Sequence, residues 1–356
     1  MAFVEVRVYN YRNLKDAAID LAARKVFLVG DNAQGKTNLL EALYLLSFGS
    51  SFRGVRDAEI ARHGETEFSV IGTVANRSDN HRIQVSFRDR ARRIELDATV
   101  LRDRRDLIQT HPCIVFRHDD LAFVTGAPED QRLFLDQTIS LIDLSYLDAL
   151  RRYRRVLRQR NESLRRGETE LLDTYDEQLI QNGGNVQRLR ERLIVAFAPV
   201  VQRLFEAVAQ YAEPLRISYR PSWNSVDQAH EQLARQRSND IRTGTTTSGP
   251  HRDRIRFELE QQDFARVAST GQARLLSLIL RAAQAQYVID SGMVEPVLLL
   301  DDVLLELDPE KRRRLVSVLP DVQQQVFTFL PGEPYDSYRD TDTLIYSVMD
   351  GSFGRT

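Results

Sequence analysis

The stretch that most restricts what this chain can become is Gly30-Asp31-Asn32-Ala33-Gln34-Gly35-Lys36-Thr37, which fits G-x-x-x-x-G-K-[ST] without a mismatch. Before it, Val26, Phe27, Leu28 and Val29 form a short apolar run of the kind a buried parallel strand needs. After it, Leu39, Leu40, Leu43 and Leu46 recur at helical spacing, and Gly49 stands where a helix would stop. A strand, a glycine turn and a helix start aim backbone N–H groups and the positive end of a helix dipole at one point, which suits polyphosphate. Residues Gly30 to Gly35 form the cradle. Lys36 reaches the β- and γ-phosphates and serves catalysis, while the Thr37 hydroxyl ligates Mg²⁺. The competing reading, a turn that binds nothing, leaves both flanks unexplained.

With 356 residues, 42% of them hydrophobic, the chain can bury a sizeable core and form one large or two coupled domains. No apolar run approaches the length of a membrane span, and the residues from Met1 to Glu5 lack a signal-peptide pattern, so a soluble cytoplasmic protein is expected. Cys113 is the only cysteine, which excludes intrachain disulfides and cysteine-based zinc sites; beside Ile114 and Val115 it reads as a small core residue. A net charge of −2 announces no nucleic-acid partner. All basic residues other than Lys15, Lys25, Lys36 and Lys311 are arginines. That bias fits the coding composition of a genome, and it is also compatible with phosphate binding.

Phe3, Val4, Val6, Val8 and Tyr9 predict an opening strand, and Arg12 beyond it lies either near the nucleotide or at the surface. Alternation from Phe68 to Leu96 predicts antiparallel strands, with Arg88, Arg90, Arg92 and Arg93 at a hairpin tip. From Leu121 onward the pattern becomes helical. Leu147, Leu150, Leu157 and Leu164 mark one helix closed by Gly167; Val186 through Tyr211 mark another kinked at Pro199, with a joint expected around Asn182-Gly183-Gly184. The domains expected are residues 1–120 with 246–356 as a nucleotide lobe, and 121–245 as an inserted helical lobe. Arg151, Arg154, Arg155 and Arg158, continued by Arg165 and Arg166, share one helix side with few acids nearby. They read either as a solvated face or as a track for a DNA phosphate backbone.

Strand character returns at Ile255–Leu259, and Ser269-Thr270-Gly271-Gln272 then opens a helix, as an N-cap or as a second anion-binding terminus. Val297–Leu300 is an apolar strand ending in Asp301 and Asp302. In a phosphate-loop protein such a strand places Asp301 where it holds Mg²⁺, and Asp302 where it polarises the attacking water.

This order of motifs resembles the ABC-type ATPase heads of the chromosome-maintenance class: an α/β P-loop head with a mixed β lobe, an inserted helical lobe and no long coiled coil. Within that class the resemblance runs end to end with the RecF family of recombination and repair proteins. Asp119-Asp120-Leu121 with Gly126-Ala127-Pro128 through Asp136 is similar to its first signature, which carries a proline where His118 stands and an arginine pair at Gln131-Arg132. Leu299-Leu300-Asp301-Asp302 through Asp308, Lys311 and Leu315 is similar to its second, with Leu305 replacing a small residue. Gly249-Pro250-His251-Arg252-Asp253 is similar to a third stretch typical of the family. The resemblance implies an ATP-dependent homodimer that binds DNA at single-strand gaps or duplex junctions, hydrolyses ATP weakly with stimulation by DNA, and works with RecO- and RecR-like mediators in loading RecA. It implies that Ser269, Gly271 and Gln272 contact the nucleotide held by a second subunit, and that Asp308 lies in the loop crossing the dimer interface. It also implies slow turnover, since Asp302 stands where related heads carry glutamate and Thr328 where they carry a switch histidine.

Two other readings use the same loop. A transporter's nucleotide-binding subunit shares all three motifs but not the first- and second-signature stretches. A small-molecule kinase leaves Ser269 to Gln272 without a role. A full structural-maintenance or zinc-hook ATPase needs an arm of several hundred residues, or a Cys-x-x-Cys pair, and this sequence has neither.

Overall fold

A computed structural model describes residues 1–75, 79–211, 213–305 and 307–356. In chain order the elements are β1 (Ala2–Tyr9), β2 (Ala17–Asp20), β3 (Lys25–Val29), α1 (Lys36–Phe48), β4 (Phe68–Ala75), β5 (Asn80–Arg88), β6 (Ala91–Leu96), β7 (Thr99–Val100), α2 (Arg105–Thr110) and β8 (Cys113–Phe116). There follow α3 (Ala122–Thr125), α4 (Pro128–Ile142), α5 (Leu144–Arg166), α6 (Leu172–Ala209), β9 (Arg216–Arg220), α7 (Val226–Thr243), β10 (Arg254–Leu259), β11 (Gln262–Asp263) and α8 (Phe264–Val267). The chain closes with α9 (Thr270–Asp290), β12 (Val297–Leu300), α10 (Pro309–Val318), β13 (Gln325–Phe329), β14 (Thr343–Met349) and β15 (Ser352–Arg355).

Contacts divide the chain into two units. The first is Met1–His118, Gln284–Arg312 and Leu319–Thr356; the second is Asp119–Ala283 with Arg313–Val318. The first unit holds two six-stranded sheets. One, in the order β2-β1-β4-β5-β6-β7, is antiparallel, and its strands alternate buried and half-exposed residues, as β4 does throughout. The other runs β15-β14-β3-β13-β12-β8, with every neighbour from β14 to β8 parallel. Its β12 and β13 are buried along their whole length; β12 reads as an unbroken apolar run, while β13 carries Gln325 and Thr328 among its apolar residues. Leu39, Leu40, Leu43 and Leu46 of α1 join the same core, and Gly49, at φ 60°, caps the helix in the left-handed conformation. Cys113 is buried in β8; burial pushes its thiol up to about 12, so it is an inert core residue.

In the second unit α5 and α6 pack against each other. The joint expected at Asn182-Gly183-Gly184 is absent: α6 runs unbroken through it for 38 residues, and the turn between helices lies at Gly167, at φ 73°. Gly183 serves packing instead, since a Cβ there would sit 2.8 Å from the Trp223 ring and 3.0 Å from Pro250. Pro199 lies inside α6. Arg160, fully buried on α5, ties α6 and α7 together through Asp176 and Asp240. At about 57 Å, α6 is a strut within a lobe and far short of a coiled-coil arm. The boundary at residue 246 also differs from expectation. Residues 246–283 belong to the second unit, because β10 pairs antiparallel with β9 from Arg254 opposite Arg220 to Glu258 opposite Arg216. No helix among the described residues is long and apolar enough to cross a membrane.

Candidate nucleotide-binding site

β3, β13 and β12 are consecutive parallel strands in register, with Val26 beside Val326 and Leu299 beside Val326, so the loops at their carboxyl ends converge. Gly35 is the N-cap of α1 at φ 116°, a conformation that side chains avoid. Lys36 is buried, and its Nζ donates to the carbonyls of Gly30 at 2.6 Å and Asp31 at 3.3 Å, with Asp302 Oδ1 at 3.8 Å. Thr37 Oγ1 donates to Asp301 Oδ1 at 2.7 Å, joining the end of β12 to the start of α1. Burial pushes the Asp301 carboxyl up to about 6; the Thr37 bond opposes this and the neighbouring Asp302 charge adds to it. A cleft of about 420 Å³ opens over the loop, lined by Asp31, Asn32, Ala33, Gly35, Lys36, Thr37 and Asp302 among others. Gln34 is spent on support, its Oε1 accepting from the Asp350 N–H at 2.6 Å.

Asp302 has a left-handed backbone at φ 51°. One hydroxyl holds it there: the Asp302 N–H donates to Thr328 Oγ1 and that hydroxyl donates to Asp302 Oδ1, both at 2.7 Å. Sequence reasoning missed three further walls of the cleft, Asn13, Asn38 and Arg53. They form a chain in which Asn38 Nδ2 donates to Asn13 Oδ1 at 2.6 Å and Arg53 Nη2 donates to Asn38 Oδ1 at 2.9 Å. No motif flags them, because Arg53 lies beyond the helix that follows the loop. Arg12 does not line the cleft; it forks onto Glu41 of α1 at 2.9 and 2.7 Å. Asp308 caps α10, accepting from the Lys311 N–H at 2.9 Å. Glu306, within the second-signature stretch, lies outside the described residues.

In the second unit, Ser269 and Gln272 form a capping box at the start of α9. The Gln272 N–H donates to Ser269 Oγ at 3.2 Å and the Ser269 N–H donates to Gln272 Oε1 at 2.6 Å. Gly271 is exposed, and a Cβ placed on it would meet nothing within 4 Å. Arg151, Arg154, Arg155 and Arg158 all lie on the exposed side of α5, opposite Tyr146, Leu150, Tyr153 and Val156. The expectation of few acids near this stripe is corrected: Asp148 and Glu162 lie on α5 itself within four residues of their arginines, and Asp136 comes from α4. Arg154 bonds Asp136 of α4 at 2.8 Å, Arg151 approaches Asp148 at 3.9 Å, and Arg165 and Arg166 share Glu162. Among the described residues, Arg155 and Arg158 make no ion pair.

Comparison with known proteins places this architecture. The model of the RecF/RecN/SMC N terminal domain matches residues 2–330. The DNA replication and repair protein RecF of Treponema pallidum (strain Nichols) is 40% identical over 346 residues, covering 96% of this chain and 98% of the relative. The chain belongs to the RecF family. A second relative, RecF of Leptospira interrogans serovar copenhageni, is 30% identical over 95% of this chain and 94% of its own length. Among solved structures, the recombination mediator protein RecF with ATP, of the RecFOR pathway, superposes with a TM-score of 0.89 at 26% identity, covering 100% of this chain and 97% of that one. An Smc head bound to the C-terminal winged-helix domain of ScpA superposes at 0.62 with 13% identity, a likeness of fold alone. The fold of this RecF-family chain is that of an ABC-type ATPase head.

Proposed function

We propose that this chain is an ATP-dependent DNA-binding clamp of recombinational repair and replication-fork maintenance. In this reading it dimerises on ATP, hydrolyses it slowly with stimulation by DNA, and helps RecO- and RecR-type mediators load RecA at single-strand gaps. The observation that carries the reading is the exposed Ser269-Thr270-Gly271 start of α9. Its glycine has no crowding neighbour in its own surroundings to account for it, whereas a phosphate approaching from outside would. A second subunit's nucleotide is the group that fits.

At the phosphate loop, Lys36 would exchange the carbonyls of Gly30 and Asp31 for the β- and γ-phosphate oxygens. Thr37 and Asp301, already in contact, suit Mg²⁺, which binds through one carboxylate and keeps waters and phosphate oxygens for its other positions. No group of three or more His, Cys, Asp or Glu side chains among the described residues offers an all-protein cage instead. When bound, the ion neutralises charge on the phosphates. Asp302 would orient the attacking water and accept its proton. Exposed arginines of α5, with Arg155 and Arg158 making no ion pair among the described residues, support contact with a DNA backbone.

Light scattering of the protein with ATP, with ADP and with neither tests this. A dimer with ATP alone is expected, and a monomer under all three conditions sinks the reading. ATPase rate per protomer should also rise with protein concentration, whereas a kinase that encloses its substrate in one chain gives a flat line.

A further inference from the structure

Two stretches of family-typical sequence lie outside the lining of the phosphate-loop cleft: the first signature around Glu129–Asp136, and Gly249-Pro250-His251-Arg252-Asp253. Though more than a hundred residues apart in the chain, they meet in the second unit at one open cleft of about 520 Å³. Its floor is a built, fully engaged network. Arg190, buried on α6, bonds Asp136, the Pro250 carbonyl and Asp253, all at 2.8 to 2.9 Å. Arg132 bonds the Asp253 carbonyl at 2.7 Å and Glu129 at 2.8 Å. His251 adds no charge. Its Nε2 donates to the Thr246 carbonyl at 2.9 Å; burial pushes the ring down to about 4, so it is neutral and Nδ1 accepts from Tyr153 at 2.6 Å.

The mouth is different. Every acid on the wall is already engaged: Glu129 by Arg132, Asp130 in capping the Ala127 N–H at 2.9 Å, and Asp136 by Arg190 and Arg154. Arg252 is exposed and makes no ion pair among the described residues, with only a long 3.5 Å bond to the Thr246 carbonyl. Arg154 is about half exposed, and it belongs both to this wall and to the arginine side of α5. The cleft is therefore continuous with that stripe, and Arg252 stands on its rim with no carboxylate within ion-pair distance among the described residues.

We propose that this cleft seats a phosphate of a nucleic-acid strand between Arg252 and Arg154, with the Arg190 network holding the two rims in place. The proposal rests on the DNA-binding reading above and assigns it a fixed seat. Its test uses the full chain, ATP and a fluorescent duplex, with anisotropy read across a KCl series. Arg252→Gln should weaken binding alike on unrelated sequences and lower the slope of log K against log salt by roughly one; Arg154→Gln with Arg252→Gln should lower it by roughly two. The thermal shift on adding ATP should stay unchanged in both, which reports that they fold. An Arg252→Gln protein that folds and keeps the full slope overturns the proposal, and leaves the cleft to a carboxylate-bearing protein segment. Absence of salt-dependent binding by the unsubstituted protein is a separate result, which defeats the DNA-binding reading and this seat together.

Discussion

Thr328→Val isolates one atom of the candidate site. Valine keeps the volume and the β-branched shape that β13 accommodates, and removes only the hydroxyl. That oxygen receives the Asp302 N–H and donates to the Asp302 carboxylate, both at 2.7 Å. A bond to a charged group contributes about 1.5–3 kcal/mol and one to a neutral N–H about 1 kcal/mol. Together they outweigh the cost of about 1–2 kcal/mol of holding a side-chain-bearing residue left-handed, as Asp302 is at φ 51°. Without them the turn is free to relax and the carboxylate loses its aim beside Lys36. If about 2 kcal/mol of that positioning is felt in the transition state, kcat falls by about thirty-fold. Nucleotide affinity should hold within about two-fold, because Thr328 is not a wall of the cleft. Steady-state hydrolysis with DNA present, paired with a fluorescent-nucleotide titration, separates the two effects. Thr328→Ser restores the hydroxyl and should restore most of the rate. A valine variant within three-fold of the unsubstituted rate, or a serine variant as slow as valine, refutes the positioning role.

Other outcomes follow from the same contacts. Ser269→Arg should leave ATP binding intact and abolish ATP-driven dimerisation in light scattering; normal dimers would remove the signature from the mechanism. Arg155→Gln with Arg158→Gln should lower the salt slope of DNA binding by roughly two, while an unchanged slope makes the pair solvated surface. His111 is buried and burial pushes it down to about 4 from 6.5, so the unfolded chain binds more protons between those values and stability falls as pH falls through that window. From pH 7.5 to 5.5 the loss from this group is on the order of 1 kcal/mol, so His111→Phe should flatten the pH dependence of urea unfolding by that amount.

The phosphate loop, its strand and its helix were legible because each is local: a strand of consecutive apolar residues, a turn whose glycine sits at φ 116°, and a helix whose leucines recur at helical spacing. Asp301 and Asp302 were legible for the same reason, lying at the end of a buried strand. What stayed hidden depends on residues far apart in sequence. Arg53 becomes a wall of the cleft through Asn38, Thr328 meets Asp302 only because β13 lies beside β12, and the acids that engage the α5 arginines include Asp136 on another helix. The short strand β9 and the charged helix α7 fell inside a segment read only as helical pattern, since neither carries enough apolar periodicity to declare itself.

The misplaced joint at Gly183-Gly184 shows how a local rule fails, and it yields a paired test. Glycine reads as a helix breaker because it costs about 1 kcal/mol against alanine in a helix interior. Here α6 absorbs that cost, since only hydrogen fits between residue 183 and the Trp223 ring and Pro250. Gly184, one residue on, has nothing within 4 Å of an added Cβ. Gly184→Ala should therefore stabilise the protein by up to about 1 kcal/mol. Gly183→Ala gains the same helix preference but meets contacts at 2.8 and 3.0 Å, where overpacking costs about 1–3 kcal/mol. Urea midpoints should move in opposite directions for two identical substitutions on adjacent residues. If both alanines stabilise, the glycine at 183 is not there for the Trp223 and Pro250 contact, and the packing account of α6 is wrong.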